Sequence, residues 1–300
     1  MAIQTVRAQV NGTWHTLTLN SSNGKYEKTI TAPTISSYNQ TNHYYNVNVE
    51  ATNTAGTVTT ADGTDLTGLR LVVKEKVAPA ITITAPTAGA TITTNKPAVK
   101  WTVTDADSGV NPNTISIKID SGSAITSGIT KTASGKGFTC SYTPPTALAD
   151  GSHTITINAS DYDGNAATAK SVTFKVDTTP PTLSVSAPAE GLITNKAALT
   201  ITGTTNDVTS SPVTVKITLN GTDQGAVTVG TGGAFSKAVT LKEGANTIVV
   251  TATDSAGKAT TVTRHVTLDT SAPVIVAATI TPNPADTGAT VLISVTIEEE

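Results

Sequence analysis

The most regular feature of the chain is a run of alternating apolar residues that ends in a polar turn and occurs three times. Counted back from Gly56, Gly164 and Gly257, each copy has Asn or Asp three residues earlier, Thr or Ser four earlier and Ala five earlier. The apolar pairs that lie seven and nine positions before these glycines are Val49 and Val47, Ile157 and Ile155, and Val250 and Ile248. Alternation with period two predicts a strand with one buried face, followed by a turn whose glycine takes positive φ. The chain is therefore predicted to be a tandem array of β-domains.

A second repeated element, rich in proline, marks the predicted domain boundaries. It occurs at residues 76–79, 177–181 and 269–273, each time between two strand-like segments. Proline fixes φ and has no N–H to donate, so it ends a strand and stiffens the passage into the next domain. Successive copies are about 100 residues apart, which is the size of an immunoglobulin-like sandwich. The predicted divisions are residues 1–76, 77–177, 178–269 and 270–300.

The pattern inside these divisions predicts strands and no helix. Val99, Trp101 and Val103 share one face of a central strand, so Trp101 is predicted to lie in a core. In the first division, Asn11-Gly12 and Asn23-Gly24 predict tight hairpin turns. The strands predicted there cover residues 3–10, 14–19, 26–31, 44–52 and 69–74.

The last division is too short for a complete repeat. It has room for two strands, over about residues 274–281 and 290–297, and the second strand places apolar residues on one face: Val291, Ile293, Val295 and Ile297. An isolated two-stranded ribbon is marginally stable in water. We therefore expect this segment either to pack on the third division or to dock on another chain of an assembly by strand pairing and apolar burial. The alternative is a partly ordered tail.

Composition mainly excludes functions. Hydrophobic residues make up 37% of the 300, enough for two or three globular domains, and a net charge of −3 without a basic run argues against nucleic-acid binding. The first residues lack the pattern of a secretory signal, and no apolar run is long enough to span a bilayer. Cys140 is the single cysteine, so no intradomain disulfide is expected, and its parity with Phe138 and Tyr142 predicts a small buried side chain.

Three motifs resemble those of a known family: the Asp-Thr-Thr-Pro-Pro linker at 177–181, the Asp-Ala-Asp-Ser-Gly-Val-Asn-Pro stretch at 105–112, and the Ala-Thr-Asp-x-Ala-Gly hairpin at 252–257. They resemble bacterial immunoglobulin-like repeat domains over residues 77–269 and, through the hairpin alone, over 1–76. The resemblance implies an all-β chain, a tandem array of immunoglobulin-like β-sandwich domains with a short C-terminal two-stranded extension. It also implies a spacer or adhesive module, and no enzyme.

The chain as a whole, including its beginning and its residues 280–284, is similar to immunoglobulin-like repeat proteins encoded among phage-type tail genes of Gram-positive gut bacteria. This similarity implies a structural protein of a phage or phage-like tail particle, assembled in the bacterial cytoplasm and oligomeric within that particle. Its expected partners are other tail proteins, reached through the C-terminal segment, and host surface glycans. No membrane insertion is expected.

Oxygen-bearing side chains at alternate positions suggest calcium loops. Asp105 and Asp107 precede Gly109, and Asp161 and Asp163 precede Gly164. Neither stretch has the full ligand series with a final bidentate Glu, and Asp and Gly are also ordinary turn residues. Turn formation and calcium binding both remain open here, and no other cofactor is expected.

Aromatic residues are concentrated in the first division, where they offer a candidate contact surface. Trp14, Tyr38 and Tyr44 are the candidates, because Tyr44 is out of phase with the buried alternation that includes Tyr45, and Trp14 is out of phase with its strand neighbours. Such residues form glycan-binding patches or pack at domain and subunit contacts.

No catalytic set is evident from the sequence. The four histidines are distributed over three divisions, and no Cys/His or Ser/His/Asp set is apparent. Two other classes of function remain open: a bacterial cell-surface adhesin or stalk, which would be extracellular, and a carbohydrate-binding accessory module of an enzyme.

Overall fold

The computed structural model describes residues 2–298, which form two compact units. The first ends at Val176 and the second begins at Asp177. Both consist of β-strands joined by turns and short 3-10 helices, and no α-helix occurs within residues 2–298. The predicted all-β class is thus confirmed.

The N-terminal part of the first unit has one large sheet and one small one. Its strands are β1 (Ile3–Val10), β2 (Thr13–Asn20), β3 (Lys25–Glu27), β4 (Tyr45–Asn46), β5 (Asn48–Asn53), β6 (Val58–Ala61) and β7 (Arg70–Leu71). The large sheet has the order β3-β2-β1-β5-β6, and β4 pairs with β7 alone. The predicted turns are confirmed, because Asn11, Gly12 and Gly24 all have positive φ.

Three of the strands predicted in this part are shorter or divided. The strand predicted over 69–74 is reduced to Arg70–Leu71, which pairs only with β4. The strand predicted over 26–31 ends at Glu27, the last residue that pairs with β2. The strand predicted over 44–52 is split, since β4 pairs in the small sheet and β5 in the large one. Val47 lies at the switch, and its N–H donates to the carbonyl of Leu69 at 3.0 Å. A single run of alternating residues therefore serves two sheets.

Residues 80–176 form a sandwich of two four-stranded sheets. The strands are β8 (Ala80–Ala85), β9 (Thr91–Ile92), β10 (Val99–Thr104), β11 (Ser116–Ile119), β12 (Thr130–Ser134), β13 (Gly137–Tyr142), β14 (Gly151–Asn158) and β15 (Lys170–Val176). The sheet orders are β12-β13-β10-β8 and β11-β14-β15-β9. Trp101 of one sheet and Phe174 of the other are buried in the same core, so the core lies between the sheets and the prediction for Trp101 is confirmed.

Residues 182–268 repeat this arrangement in the second unit. The strands are β16 (Thr182–Ala187), β17 (Leu192–Thr194), β18 (Ala198–Asn206), β19 (Thr214–Leu219), β20 (Thr222–Asp223), β21 (Ala234–Thr240), β22 (Gly244–Thr253) and β23 (Ala259–Leu268). The sheet orders are β16-β18-β21 and β17-β23-β22-β19-β20. In both sandwiches the short second strand runs parallel to the last strand, β9 beside β15 and β17 beside β23.

The chain ends in a two-stranded ribbon, as predicted. Its strands are β24 (Val274–Thr281) and β25 (Leu292–Glu298), and they pair only with each other among the described strands. Within residues 2–298, the sheets of the four predicted divisions share no strand. The exact division of the chain into four domains stays a prediction.

The repeated turn is built the same way in all three copies. The glycines have φ of +81°, +94° and +85° at Gly56, Gly164 and Gly257. The Asn or Asp three residues earlier turns its Oδ1 toward the turn and accepts backbone N–H groups, as Asp254 does from Ala256 at 2.8 Å and Lys258 at 2.9 Å. The polar residue of the signature therefore closes the turn that it precedes.

Candidate functional site

The ribbon formed by β24 and β25 has one apolar face and one largely polar face. Directly opposed pairs on the apolar face are Ile280 with Ile293, Ala278 with Val295, and Ile275 with Ile297. The opposite face carries Thr279 opposed to Ser294 and Ala277 opposed to Thr296 near its centre, with Leu292 opposed to Thr281 and Val274 opposed to Glu298 at its ends. All described residues of the ribbon are exposed, with Ile293 at 64% and Val295 at 50%.

An exposed apolar surface of this kind is unusual on a soluble domain. Val291, Ile293, Val295 and Ile297 are all among the large exposed hydrophobic residues. The ribbon's outer edges also carry unpaired backbone groups, since each strand has one neighbour. The ribbon can thus bury apolar side chains and add strands in the same contact.

The three candidate aromatic residues lie in different surroundings. The Arg7 guanidinium lies 4.4 Å from the Trp14 ring centroid, and the Arg70 guanidinium lies 5.1 Å from that of Tyr44. Tyr38 is stacked between His43 and Tyr162 instead. Among these ring contacts, Trp14, Tyr38 and Tyr44 have no partner residue in common. A binding patch formed by the three residues together stays a prediction.

Trp14 borders a small acidic depression. The depression has a volume of about 290 Å³, and Glu50, Asp62 and Asp65 lie in its wall. Hydrogen bonds from the Thr64 hydroxyl and N–H and from Asn46 lower the pKa of Asp62 to about 2, so that carboxylate is ionised at neutral pH. An exposed ring beside acceptor oxygens suits a sugar or a cationic ligand.

An apolar groove lies elsewhere in the N-terminal part, and the sequence pattern gives no sign of it. Its volume is about 400 Å³, and its walls include Val10, Leu17, Ile30, Val47 and Leu71. It exists because the segment after β3 leaves the large sheet. The small β4–β7 pair faces that sheet across the groove.

The aspartates suggested as calcium ligands separate into two pairs. Asp105 and Asp161 come together with Glu75, and their oxygens lie within 4.8 Å of one another. Asp107 instead accepts the Ser36 N–H and the Asn39 side-chain N–H, each at 2.8 Å.

Asp163 has a similar role at the other end of the N-terminal part. Its Oδ2 accepts the N–H of Glu75 at 2.9 Å, and its carbonyl accepts the Lys74 ammonium. Asp107 and Asp163 therefore attach residues 36–39 and 74–75 to the first sandwich. Calcium binding by these four aspartates remains untested.

The histidines have separate local partners. His153 contacts Asp120 Oδ2 and the Ala149 carbonyl at 2.8 Å each, and His265 contacts Glu190 at 2.7 Å. Burial lowers the pKa of His153, but hydrogen bonds to Ala149 and Asp120 and the Asp120 charge outweigh it and raise the pKa overall. Both ring nitrogens face acceptors, so the protonated imidazolium satisfies this arrangement best.

Cys140 lies directly opposite Trp101 in the β10–β13 register and is buried. Burial raises the pKa of its thiol to about 11. A thiol with this pKa behaves as a small hydrophobic group, as the parity of its strand position predicts.

Residues 2–298 contain no helix with the length and apolar composition needed to cross a bilayer.

Two segments match known protein families. Residues 76–178 match the sequence profile of a bacterial immunoglobulin-like domain, and residues 181–270 match that of domain B of glucodextranase. No curated protein sequence matches the chain. Together with the two-sheet cores described above, the first match confirms tandem immunoglobulin-like β-sandwiches as the fold class.

Several solved structures are similar at low identity. Fibronectin(III)-like modules of Clostridium thermocellum CbhA are 19% identical over 63% of this chain and 94% of that chain, with a TM-score of 0.36. Immunoglobulin domains 1–5 of Sidekick-1 are 13% identical over 99% of this chain, which spans 60% of that chain, with a TM-score of 0.42. A tetra-tandem repeat from the extending region of a large adhesion protein is 20% identical over 98% of this chain and 79% of that chain, with a TM-score of 0.35.

Proposed function

We propose that this tandem immunoglobulin-like protein is a non-enzymatic structural component of a phage or phage-like tail particle. Its sandwich domains act as spacers or host-contact modules, and its C-terminal ribbon docks on another structural protein of the particle. The protein is then located in the particle, assembled in the bacterial cytoplasm and present in several copies. Host surface glycans are the partners proposed for the outward domains.

The uncovered apolar face of the ribbon is the observation that carries this proposal. Ile275, Ile280, Ile293, Val295 and Ile297 lie on one face, and all are exposed. A two-stranded ribbon is marginal alone, and burying each such side chain contributes about 1.5–3 kcal/mol. A protein partner that covers this face therefore gains affinity and also stabilises the ribbon.

The partner's chemistry follows from the two surfaces that the ribbon offers. The apolar face requires an apolar groove or sheet face, and the free edges of β24 and β25 suit strand addition. The charge on the chain is small, and the ribbon's paired segments contain one described acidic residue, Glu298, and no base. A β-rich protein subunit fits these features better than a nucleic acid or an anionic surface.

The polar groups of the described residues support a structural role. His153 and His265 are engaged with Asp120 and Glu190, and Cys140 is buried in a core. These side chains stabilise loops and strands in their present positions. A non-enzymatic function accounts for them without additional chemistry.

The match of residues 181–270 to glucodextranase domain B favours one second candidate, an accessory module of a carbohydrate-acting enzyme. The two functions predict different partners. A glycan array probed with the purified chain distinguishes them, because reproducible glycan binding that Trp14→Ala abolishes favours the accessory role. The adhesin or stalk alternative predicts cell-wall location in strains that make no particles.

The proposal is tested by purifying particles from a strain that encodes the chain. Particles banded on a density gradient are analysed by quantitative mass spectrometry for peptides from residues 77–269, and by immunogold labelling. We expect the chain to co-purify with the major tail protein in a fixed ratio and to label the tail. Recovery of the chain only in the cell-wall or soluble fractions, with no label above background, would contradict the proposal.

A further inference from the structure

Three buried aspartates meet in the second unit. Asp177, Asp207 and Asp254 each follow directly after a strand, β15, β18 and β22 respectively. All three are buried, and one carboxylate oxygen from each lies within 4.8 Å of the others. Ligands on opposite sides of a calcium ion bound at about 2.3–2.6 Å are about 5 Å apart. The three oxygens therefore fit around one ion.

Each carboxylate divides its two oxygens between two tasks. Oδ1 accepts backbone N–H groups from the turn that follows, and these donors are Thr179 for Asp177, Thr209 and Ser210 for Asp207, and Ala256 and Lys258 for Asp254. These hydrogen bonds fix the plane of each carboxylate. The second oxygen is left for another partner, and the orientation of all three groups is set in advance.

Two of the three second oxygens are buried without a protein donor. Oδ2 of Asp177 and Oδ2 of Asp254 are enclosed and accept no hydrogen bond, and the enclosed hydroxyl of Ser210 has no partner either. None of the ion pairs within residues 2–298 includes any of these aspartates. Burying unpaired like charges costs several kcal/mol. A bound cation removes that cost.

We propose that Asp177, Asp207 and Asp254 form a calcium-binding site. The available ligands are all oxygens, which hard divalent cations prefer, and no cysteine or histidine belongs to the cluster. Ca²⁺ tolerates irregular coordination by six to eight oxygens, whereas Mg²⁺ demands a near-ideal octahedron. The ion joins the first residue of the unit to the loop after β18 and to the turn after β22.

The comparable cluster in the first unit shows what a protein donor does to such a site. Asp161 Oδ2 accepts the side-chain N–H of Asn165 at 2.7 Å, and Glu75 Oε1 accepts the N–H of Ser108 at 2.6 Å. Donors of the protein thus occupy oxygens there that are free in the second unit. The proposal therefore concerns the Asp177 cluster.

The site is tested on the full chain after removal of divalent ions with a chelator. CaCl₂ is titrated by calorimetry, and melting is followed with and without Ca²⁺. We expect one site whose occupancy raises the melting temperature of the second unit by at least about 5 °C at a hundredfold excess over the dissociation constant. Asp207→Asn should weaken binding at least tenfold, because Asn keeps the backbone acceptor and loses the charge.

The sign of the stability change separates a ligand from a simple turn residue. Without Ca²⁺, Asp207→Asn should melt at or above the wild-type temperature, since repulsion is relieved, and with Ca²⁺ it should melt below it. Asp223→Asn is the matched control, because Asp223 is exposed and paired with Lys216, and it should bind Ca²⁺ normally. If Asp207→Asn does not fold, Asp254→Asn provides the same readouts.

Five outcomes would overturn the proposal, and the first four concern the second unit. These four are wild-type protein with neither binding heat nor a melting shift, equal destabilisation by Asp207→Asn with and without Ca²⁺, loss of binding in Asp223→Asn, and tighter binding of MgCl₂ than of CaCl₂. Loss of the site in Asp105→Asn with retention in Asp207→Asn would place the ion in the first unit instead, and would also overturn it.

Discussion

Tyr38 stacks face to face on Tyr162, with ring centroids 4.1 Å apart and an angle of 10° between the ring planes. His43 covers the other side of Tyr38 at 4.0 Å, so three rings form one stack. Beside the stack, the Lys136 ammonium donates a hydrogen bond to Asn39 Oδ1 at 2.8 Å. The stack attaches the N-terminal part of the first unit to the sandwich that follows it.

Tyr162→Ala is expected to loosen this attachment. An aromatic pair contributes about 0.5–1.5 kcal/mol beyond the area it buries, so the N-terminal segment should open more often. Hydrogen exchange of the backbone amides at Ser36 to Tyr38 should accelerate about tenfold. Tyr162→Phe keeps the ring and should exchange like the wild type, whereas unchanged exchange in Tyr162→Ala would show that the stack contributes little.

His153 and Asp120 give the first unit a dependence on pH. The raised pKa of His153 means that the pair's contribution is fully present below about pH 6.5 and is lost as the pH rises through the folded-state value. Despite its partial burial, the pKa of Asp120 is lowered by the Thr154 N–H and by His153, so the contribution falls again only in strong acid.

The expected effect is a loss of about 0.5 kcal/mol in the free energy of unfolding between pH 6 and pH 8, since Asp120 is partly exposed. Urea denaturation followed by tryptophan fluorescence measures it. Asp120→Asn keeps an acceptor for the Thr154 N–H and should remove most of the step. An equal step in this variant would assign the pH dependence to other groups.

Cys140 should be unreactive in the folded chain. With a thiol pKa of about 11, roughly one thiol in a thousand is ionised at pH 8, and the side chain is also enclosed. We expect Ellman's reagent to react slowly with the native protein and at once after unfolding in urea. Rapid stoichiometric labelling of native protein would contradict the burial of this strand position.

Gly203 lies in β18 where the adjacent strand leaves no room for a side chain. A Cβ at this position would lie 2.5 Å from Cζ of Phe235 and would overlap the carbonyl oxygen of Ser184. Gly203→Ala should therefore destabilise the second unit by about 1–3 kcal/mol, whereas Thr204→Ala, on the exposed side, should change stability by less than about 0.5 kcal/mol.

The two tryptophans, Trp14 and Trp101, both lie in the first unit. Tryptophan fluorescence therefore reports unfolding of the first unit, whereas circular dichroism reports unfolding of both units. In urea, Gly203→Ala should shift the circular-dichroism transition to lower concentration and leave the fluorescence transition in place. Parallel shifts of both transitions would show that the two units unfold together.

Local patterns predict much of this fold because each depends on neighbouring residues. The alternation around Trp101, the turns at Asn11-Gly12 and Gly257, and the ribbon of 274–298 all follow from period-two burial and turn chemistry. The split at Val47 does not, because one alternating run pairs with two different sheets. The division becomes visible only when the pairing strands are known, since β4 pairs with β7 and β5 pairs with β1.

The clusters of side chains depend on contacts that are distant in sequence. The linker motif contains Asp177 and the repeated turn contains Asp254, but no pattern predicts that they meet Asp207. The stacking of Tyr38 on Tyr162 is likewise invisible in the sequence. Each of these contacts requires the order of the strands, which the alternation alone does not specify.

The most direct test of the account is particle incorporation of two variants that differ by one position in β25. Val295 lies on the apolar face of the ribbon and Ser294 on the opposite face. Val295→Asp should reduce the amount of chain in purified particles at least tenfold, while Ser294→Asp should incorporate like the wild type. Equal incorporation of both variants would contradict docking through the apolar face.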